Sequence, residues 1–404
     1  MTGGGLTGIV PGAAVDVPMA PPAPTAVYVS VVSLPRFLRR SLAPLAPTYR
    51  SLSDVVGATL ARPLEATAAE PSMDAAALDG YAISGSGPWW TVRPERVHPT
   101  MAALGNGEAA RITRGMPTPR GSTAVIRAED VKFSRVAGRV VLTRTPHAPL
   151  RDDTRVRGEQ WHAGTVLAAA GTRVGAAVVS IGSSADVAVG LVRGPVSADV
   201  LVTGRRFAAG AATSDTDAVT PVVSTFLAAG DIRCRKVWQI ADGELLRAWF
   251  AMPTDAELVI VVGAIDEMRC LLTEIGAAIV VDGVMIRPGG EQLIARLPDG
   301  RTLIVVPANP FEAITALMVT GRCVVEALTD RTPSRLRGRL VDRSTPPGQT
   351  TDIVPVTQVD GGVWRATGAV GIPHLAHLVD AQALALLPPG STRATLAELI
   401  LLPR

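Results

Sequence analysis

The chain has 404 residues, 47 % apolar and 19 % charged, with Lys and Arg at 39 against Asp and Glu at 36. That length implies several domains with cores of their own, and that composition excludes an intrinsically disordered chain. A net charge of +3 without a run of basic residues argues against a nucleic-acid-binding protein, and three scattered cysteines, Cys234, Cys270 and Cys323, argue against a disulfide framework or a structural zinc site. With aromatics at 4 %, the cores must be built from Ala, Val, Leu and Ile. The most apolar long stretch, Leu167 to Val192, is broken by Arg173 and Asp186, so no membrane span is expected. No basic segment leads into an apolar one at the N-terminus, so no secretory signal is read there, and a reducing cytoplasm is the expected location.

Residues 1–25 are rich in Gly, Pro and Ala and read as a flexible tail. An Arg-rich segment, Pro35–Leu45, reads as a short helix, and Ser53 ahead of DVVGATLARPL is the N-cap signal of a second. From Glu65 to about Arg157, runs such as AARIT, TAVIRAEDVKF and RVVLTRT alternate with Gly/Pro turns, the pattern of an all-β region. The Gly/Ala/Val-rich stretch Gly158–Leu191 reads as short strands around one short helix. Between Pro195 and Thr329 the pattern becomes βα. Strands are expected at Val196–Val202, Ile232–Trp238, Glu257–Val262 and Leu303–Val306, with helices at Val219–Ala229, Gly243–Ala251, Asp266–Gly276 and Phe311–Leu328. Uninterrupted apolar strands separated by helices argue a parallel sheet covered on both faces. Ligands of such a sheet sit at the carboxyl ends of its strands, so the loops after Val202, Val262 and Val306 are where chemistry is sought. Asp330–Arg404 reads as a small separate β-domain.

The most informative segment is Met73–Ile83, MDAAALDGYAI. By itself it is a loop bearing two carboxylates, Asp74 and Asp79, with Gly80 allowing a tight turn into a strand. It resembles the DNSAMDGYAV signature of the molybdopterin molybdenumtransferases, the MoeA and gephyrin E-domain family. Further segments resemble that family in order. Ala109–Asp130 is similar to RI-x-TG-x-P-x-P-x-GADAVV…ED, and Arg157–Gly204 to the stretch from GED to TGDEL. MIRPGG at Met285–Gly290 is similar to MKPGKP, and PANPFEA at Pro307–Ala313 to PGNPVSA. The resemblance runs from about Leu34 to Arg404.

The resemblance implies an α/β and β multi-domain chain, elongated and four-domain. Its parts would be a discontinuous linker and dimerisation domain (34–65 and 158–191), a mostly β insertion (66–157), a doubly wound MoaB/Mog-like molybdopterin-binding domain (192–329) and a C-terminal β-barrel-like domain (330–404). It implies a cytoplasmic homodimer that takes adenylylated molybdopterin and molybdate as substrates with Mg2+ present and completes molybdenum cofactor. Carried onto this chain, the catalytic acids would be Asp79, Glu159, Asp242 and Asp266, with Asp79 and Asp242 as metal ligands. Ligand binding would fall to Gly80, Thr203, Gly204, Gly263, Pro288, Gly289, Asn309 and Pro310. Several of these also have plain structural readings: Asp242 and Asp266 as helix caps, Pro288-Gly289 as a turn, and Asn309-Pro310 as a helix start.

The departures bear on catalysis. A hard divalent ion wants carboxylate oxygens. Where the family has TGDEL this chain has Thr203-Gly204-Arg205-Arg206-Phe207, two arginines for two acids, and Gln160 stands for the acid of GED beside Glu159. Arg114 replaces the Thr of the TG pair. The glycine-rich phosphate loop is shortened to Val262-Gly263-Ala264-Ile265-Asp266-Glu267, MKPGKP has lost its second Lys, and Ala308 replaces the Gly of PGNP. The expected function is a MoeA-like step of molybdenum cofactor biosynthesis with reduced or lost catalysis. The alternatives are a non-catalytic, gephyrin-like scaffold for a protein partner and a molybdopterin-binding sensor.

Overall fold

The computed structural model describes residues 27–92, 103–203, 218–342, 349–359, 361–367, 374–391 and 396–403. The tail expected over 1–25 lies outside the described residues, as do Gly204, Arg205 and Arg206.

A seven-stranded sheet forms the largest body, in the order Val27–Val29, Ala278–Val284, Leu293–Arg296, Thr302–Val306, Leu258–Val262, Val196–Val202, Ile232–Gln239. The last four of these strands are parallel to one another, as the alternation of strands and helices predicts. LVIVV at Leu258–Val262 and TLIVV at Thr302–Val306 are buried at every residue, because helices cover both faces of the sheet. One face carries the helices Val223–Ala229, Pro310–Ala316, Arg322–Thr329 and Leu34–Ser41, through Val223, Ala313, Val324, Leu34 and Leu38. The other carries Gly243–Phe250 and Ile265–Glu274, through Leu246, Trp249, Met268 and Leu272. The helix expected over Phe311–Leu328 passes through a π-helical turn at Leu317–Gly321.

The sheet is not wholly parallel. Leu293–Arg296 runs antiparallel to both of its neighbours. The chain returns from it into Thr302–Val306 through the tight Pro298-Asp299-Gly300 turn, and a turn that short joins only antiparallel strands. Val27–Val29 adds a parallel edge strand.

The second helix expected after Ser53 is absent. A 3-10 turn at Leu52–Val55 leads instead into two short strands, Thr59–Leu60 and Leu64–Glu65. Two causes act together. Gly57 has φ +94°, which stops a helix, and the next amides bond outside the segment: Leu60 N to Thr172 O at 2.9 Å and Ala61 N to Leu191 O at 2.8 Å. Leu52, Val55, Leu60 and Leu64 then pack with Val174 and Val178 at the helix Ala176–Ser184 and with Val192 of the strand Val189–Arg193. The all-β region forms a six-stranded sheet in which Gly80–Ile83 lies between Glu108–Ile112 and Ala124–Arg127.

The C-terminal region is a closed barrel of five strands. Thr351–Val359 pairs with Val363–Ala366, then Leu336–Asp342, Leu396–Leu401 and Ala383–Leu387 follow, and the last pairs back onto the first. Its interior is Leu340, Val354, Val356, Trp364, Leu387 and Leu399. Ile286–Arg287 pairs with Thr351–Asp352 and so ties the Met285–Gly290 loop to the barrel.

Candidate functional site

The strand order places a topological switch point between Val196–Val202 and Leu258–Val262. The helix after the first strand packs on one face of the sheet and the helix after the second on the other, the arrangement at which open α/β sheets bind ligands outside the carboxyl ends of their strands. Thr203 and Gly263 occupy that position. Thr203 is 2 % exposed, and both its backbone N and its Oγ1 donate to Val262 O, at 3.0 and 2.9 Å. Gly263 N donates to Val306 O at 2.8 Å, and its φ is +94°. A Cβ on Gly263 would fall 2.4 Å from Thr203 Oγ1 and 3.4 Å from the Cβ of Ala308, so the three loop ends close on one another here with no room for a side chain. Asn309 is next. Its carboxamide oxygen accepts from Phe311 N at 3.0 Å and Glu312 N at 3.3 Å, with Pro310 at the first helical position. The helix start read from sequence is therefore real, and it directs the positive end of a helix dipole toward the same end of the sheet.

The Met285–Gly290 loop packs against that helix. A Cβ on Gly289 would lie 2.6 Å from Glu312 O and 3.2 Å from the Cβ of Ala316, and Gln292 Nε2 donates to Gly289 O at 2.9 Å. Arg287, ahead of Pro288, pairs with the fully buried Asp352 of the barrel at 2.9 Å. Burial pushes the Glu312 carboxyl above its ordinary range, and repulsion from Glu291 adds to the shift. Thus Thr203, Gly263, Pro288, Gly289, Asn309 and Pro310 gather at the carboxyl end of one sheet. Glu312 and Gln292 escaped the sequence reading, because an antiparallel hairpin that it did not foresee delivers the loop carrying Gln292 onto the helix carrying Glu312.

The acids do not gather in the same way. Asp79 Oδ1 accepts from Arg114 N at 2.8 Å, and Asp74 Oδ1 accepts from Arg157 N at 2.7 Å. The signature loop is thus stitched to two other family-like segments. Gly80 sits in its strand with Ile126 O 2.0 Å from where a Cβ would be. Glu159, half-exposed, lies 3.7 Å from Arg155. Asp242 caps the helix Gly243–Phe250 by accepting from Leu245 N at 2.8 Å. Asp266 is 92 % exposed and pairs with Arg269 at 3.1 Å. Among the described residues no three His, Cys, Asp or Glu side chains converge to hold a metal ion. Asp79 precedes the strand Gly80–Ile83 of the six-stranded sheet and Asp242 follows the strand Ile232–Gln239 of the seven-stranded one, and each already takes a backbone amide. The donor set that Mg2+ needs is therefore not assembled by the described residues of one chain.

Residues 31–186 match the family model of the MoeA N-terminal region, domains I and II. The chain is similar to Molybdopterin molybdenumtransferase 1 of Mycobacterium tuberculosis, 26 % identical over 399 residues, covering 82 % of this chain and 88 % of that protein. It is also similar in fold to two crystal structures of the molybdopterin biosynthesis MoeA protein of Pyrococcus horikoshii. The TM-scores are 0.70 and 0.67 at 16 % and 20 % identity, with 93 % of this chain covered and 100 % and 99 % of those chains. A molybdenum cofactor biosynthesis protein of Pyrococcus furiosus aligns at TM-score 0.55 and 12 % identity, covering 93 % of this chain and all of that one.

Proposed function

We propose, for a chain that belongs to the MoeA family, that it acts in molybdenum cofactor biosynthesis by holding a molybdopterin-type ligand at the carboxyl end of its α/β sheet, with molybdate insertion into adenylylated molybdopterin reduced or lost. One observation carries both halves of the reading. The binding elements close together at Thr203, Gly263 and Ala308, while the acids Asp79, Asp242 and Asp266 are engaged separately as hydrogen-bond acceptors or an ion-pair partner.

The chain's residues supply binding rather than reaction. The Asn309-capped helix directs the positive end of its dipole toward an anionic group at this end of the sheet. Thr203 holds the two loop ends at fixed separation through Val262 O. Arg205 and Arg206 add cations where the family motif carries carboxylates, which favours an anion and disfavours a divalent metal. The reading includes a MoaB/Mog-like role for this sheet and a homodimer in the cytoplasm. Three cysteines without a disulfide suit that reducing setting. A second reading, a non-catalytic scaffold for a protein partner, is favoured by the same dispersed acids.

The test is a titration with adenylylated molybdopterin, followed by AMP release in the presence of molybdate and Mg2+. Saturable binding with AMP release about a hundredfold or more below that of the Mycobacterium tuberculosis relative is expected, the scale of loss when positioning groups are removed. Comparable turnover would make the protein an ordinary enzyme of the family. No binding at all would leave the scaffold reading.

A further inference from the structure

The strand Val27–Val29 precedes the region matched by the family model, which begins at residue 31, yet it is an edge strand of the same seven-stranded sheet. It runs parallel to Ala278–Val284, with Val27 opposite Val281 and Val29 opposite Val284, and Met285 N donates to Val29 O at 2.8 Å. The strand therefore ends beside the Met285–Gly290 loop, at the carboxyl end of the parallel strands. Val29 is buried in the core, while Tyr28, its neighbour, remains 55 % exposed. The ring of Tyr28 lies on a bed of glycine. A Cβ on Gly283, whose φ is +109°, would fall 2.0 and 2.1 Å from Tyr28 Cε2 and Cδ2, and a Cβ on Gly290 would fall 3.5 Å from the phenol oxygen. A glycine inside a strand weakens it and marks a place where another group must come close; here that group is the Tyr28 ring. Gly290 is also the position at which the family-like motif has lost its Lys.

We infer that Tyr28 is a ligand-contacting residue of this site, offering an exposed aromatic face and a hydroxyl to a flat nitrogen heteroaromatic ring beside the Met285–Gly290 loop. The inference deepens the proposed function and rests on it. Two rings of an adenylylated pterin share this chemistry, the pterin and the adenine. Stacking on an aromatic side chain contributes roughly 1–3 kcal/mol per base when measured by truncation.

The experiment compares wild type, Tyr28→Phe and Tyr28→Leu in full-length protein. Calorimetric titrations use molybdopterin alone and AMP alone, with quenching of pterin fluorescence as a second readout. Tyr28→Leu keeps an apolar cover over Gly283 but removes the π-face, and thermal unfolding of each variant checks the fold. The expected result is a loss of about tenfold or more in affinity for one of the two probes in Tyr28→Leu, with Tyr28→Phe within about threefold of wild type. If the pterin is the stacked ring, its quenching is lost in Tyr28→Leu as well. Wild-type binding that Tyr28→Leu leaves unchanged overturns the role of Tyr28 alone. Failure of the wild type to bind either probe overturns the proposed function and this inference together.

Discussion

Arg331 and Asp231 meet at 2.6 Å, each with only 12 % of its side chain exposed. Arg331 follows the last helix of the α/β sheet, and Asp231 follows the helix Val223–Ala229. The same guanidinium donates to Thr59 Oγ1 at 3.0 Å and Gly57 O at 2.6 Å, and Arg173 forks onto the other side of Asp231. One carboxylate therefore joins the α/β sheet to the region around Gly57 and to the entry of the barrel. Burial pushes the Asp231 carboxyl up, but hydrogen bonds and charge from Arg173 and Arg331 outweigh it, and its pKa ends below the ordinary value of 3.8.

A carboxylate depressed in the folded state contributes stability that is present above its unfolded pKa and is lost as pH falls through the folded one. Asp231→Asn is expected to cost about 2 kcal/mol at pH 7, below the full penalty for a buried pair because the site is partly solvated. The gap in melting temperature between the variant and wild type should persist down to about pH 4 and then close under stronger acid. A gap that stays constant from pH 7 to pH 2 would mean that Asp231 acts through shape rather than charge.

Four residues beyond Arg331, Arg335 pulls in another direction. Its guanidinium grips Glu326, 4 % exposed on the helix Arg322–Thr329, and also Glu398 of the barrel at 3.2 Å, which Arg322 holds at 2.6 Å. Arg335→Met removes one partner and leaves Glu326 buried and unpaired. A destabilisation of about 3 kcal/mol is expected, with the barrel unfolding ahead of the α/β sheet. Glu326→Gln combined with Arg335→Met should cost clearly less than the sum of the two single changes. Calorimetric traces that stay single and superimposable on wild type in the single variants would contradict the link.

Glu312 carries the opposite sign. Its carboxyl is raised by burial first and by Glu291 second, so its ionised form opposes folding. Below the unfolded pKa both states are protonated and the group contributes nothing; the penalty appears as pH climbs through the raised folded value. Glu312→Gln is expected to melt higher than wild type at pH 8 and at the same temperature near pH 3.5. Melting curves across that range check it, and a variant that melts lower at pH 8 would show that the ionised carboxylate is a net asset of the fold.

The alternation of strands and helices from Val196 to Thr329 was legible because the central strands Leu258–Val262 and Thr302–Val306 are buried on both faces and so read as unbroken apolar runs, whereas the edge strand Ile232–Gln239 carries Arg233, Arg235 and Lys236 and is half-buried or exposed beyond Ile232. The loop ends at Thr203, Gly263 and Asn309 followed from that pattern, since the sheet's carboxyl end is dictated by strand direction. The helix after Ser53 was misread because Leu60 and Ala61 find backbone partners at Thr172 and Leu191, more than a hundred residues away, and no local period records that. Tyr28 was invisible for a related reason. A three-residue strand carries no periodicity, and its partner Ala278–Val284 sits in a hairpin whose short strands were not read. The acids were legible as residues but not as a constellation: a motif records order along the chain, whereas convergence depends on how separate sheets sit, and here they hold Asp79 and Asp242 apart in different hydrogen bonds.

Gly263 offers the sharpest test of the switch-point site. Its backbone lies at φ +94°, a region that other residues enter only with strain, and a methyl group there would meet Thr203 Oγ1 at 2.4 Å. Gly263→Ala must displace Thr203 from Val262 O, so both the turn and its closure suffer. The expected cost is about 2–3 kcal/mol, combining backbone strain with one lost buried hydrogen bond. Adenylylated molybdopterin binding should weaken by about tenfold or more, because the backbone at this turn lies where the ligand's anionic group is proposed to rest. Thr203→Ala alone removes the oxygen and costs about 1 kcal/mol. The double variant should then lose less stability than the two single losses added together, since the clash needs both atoms, while the strain at φ +94° persists. Strict additivity, measured by denaturant unfolding, would show that Thr203 and Gly263 do not meet as they do here, and the ligand site would have to be sought at another pair of loops.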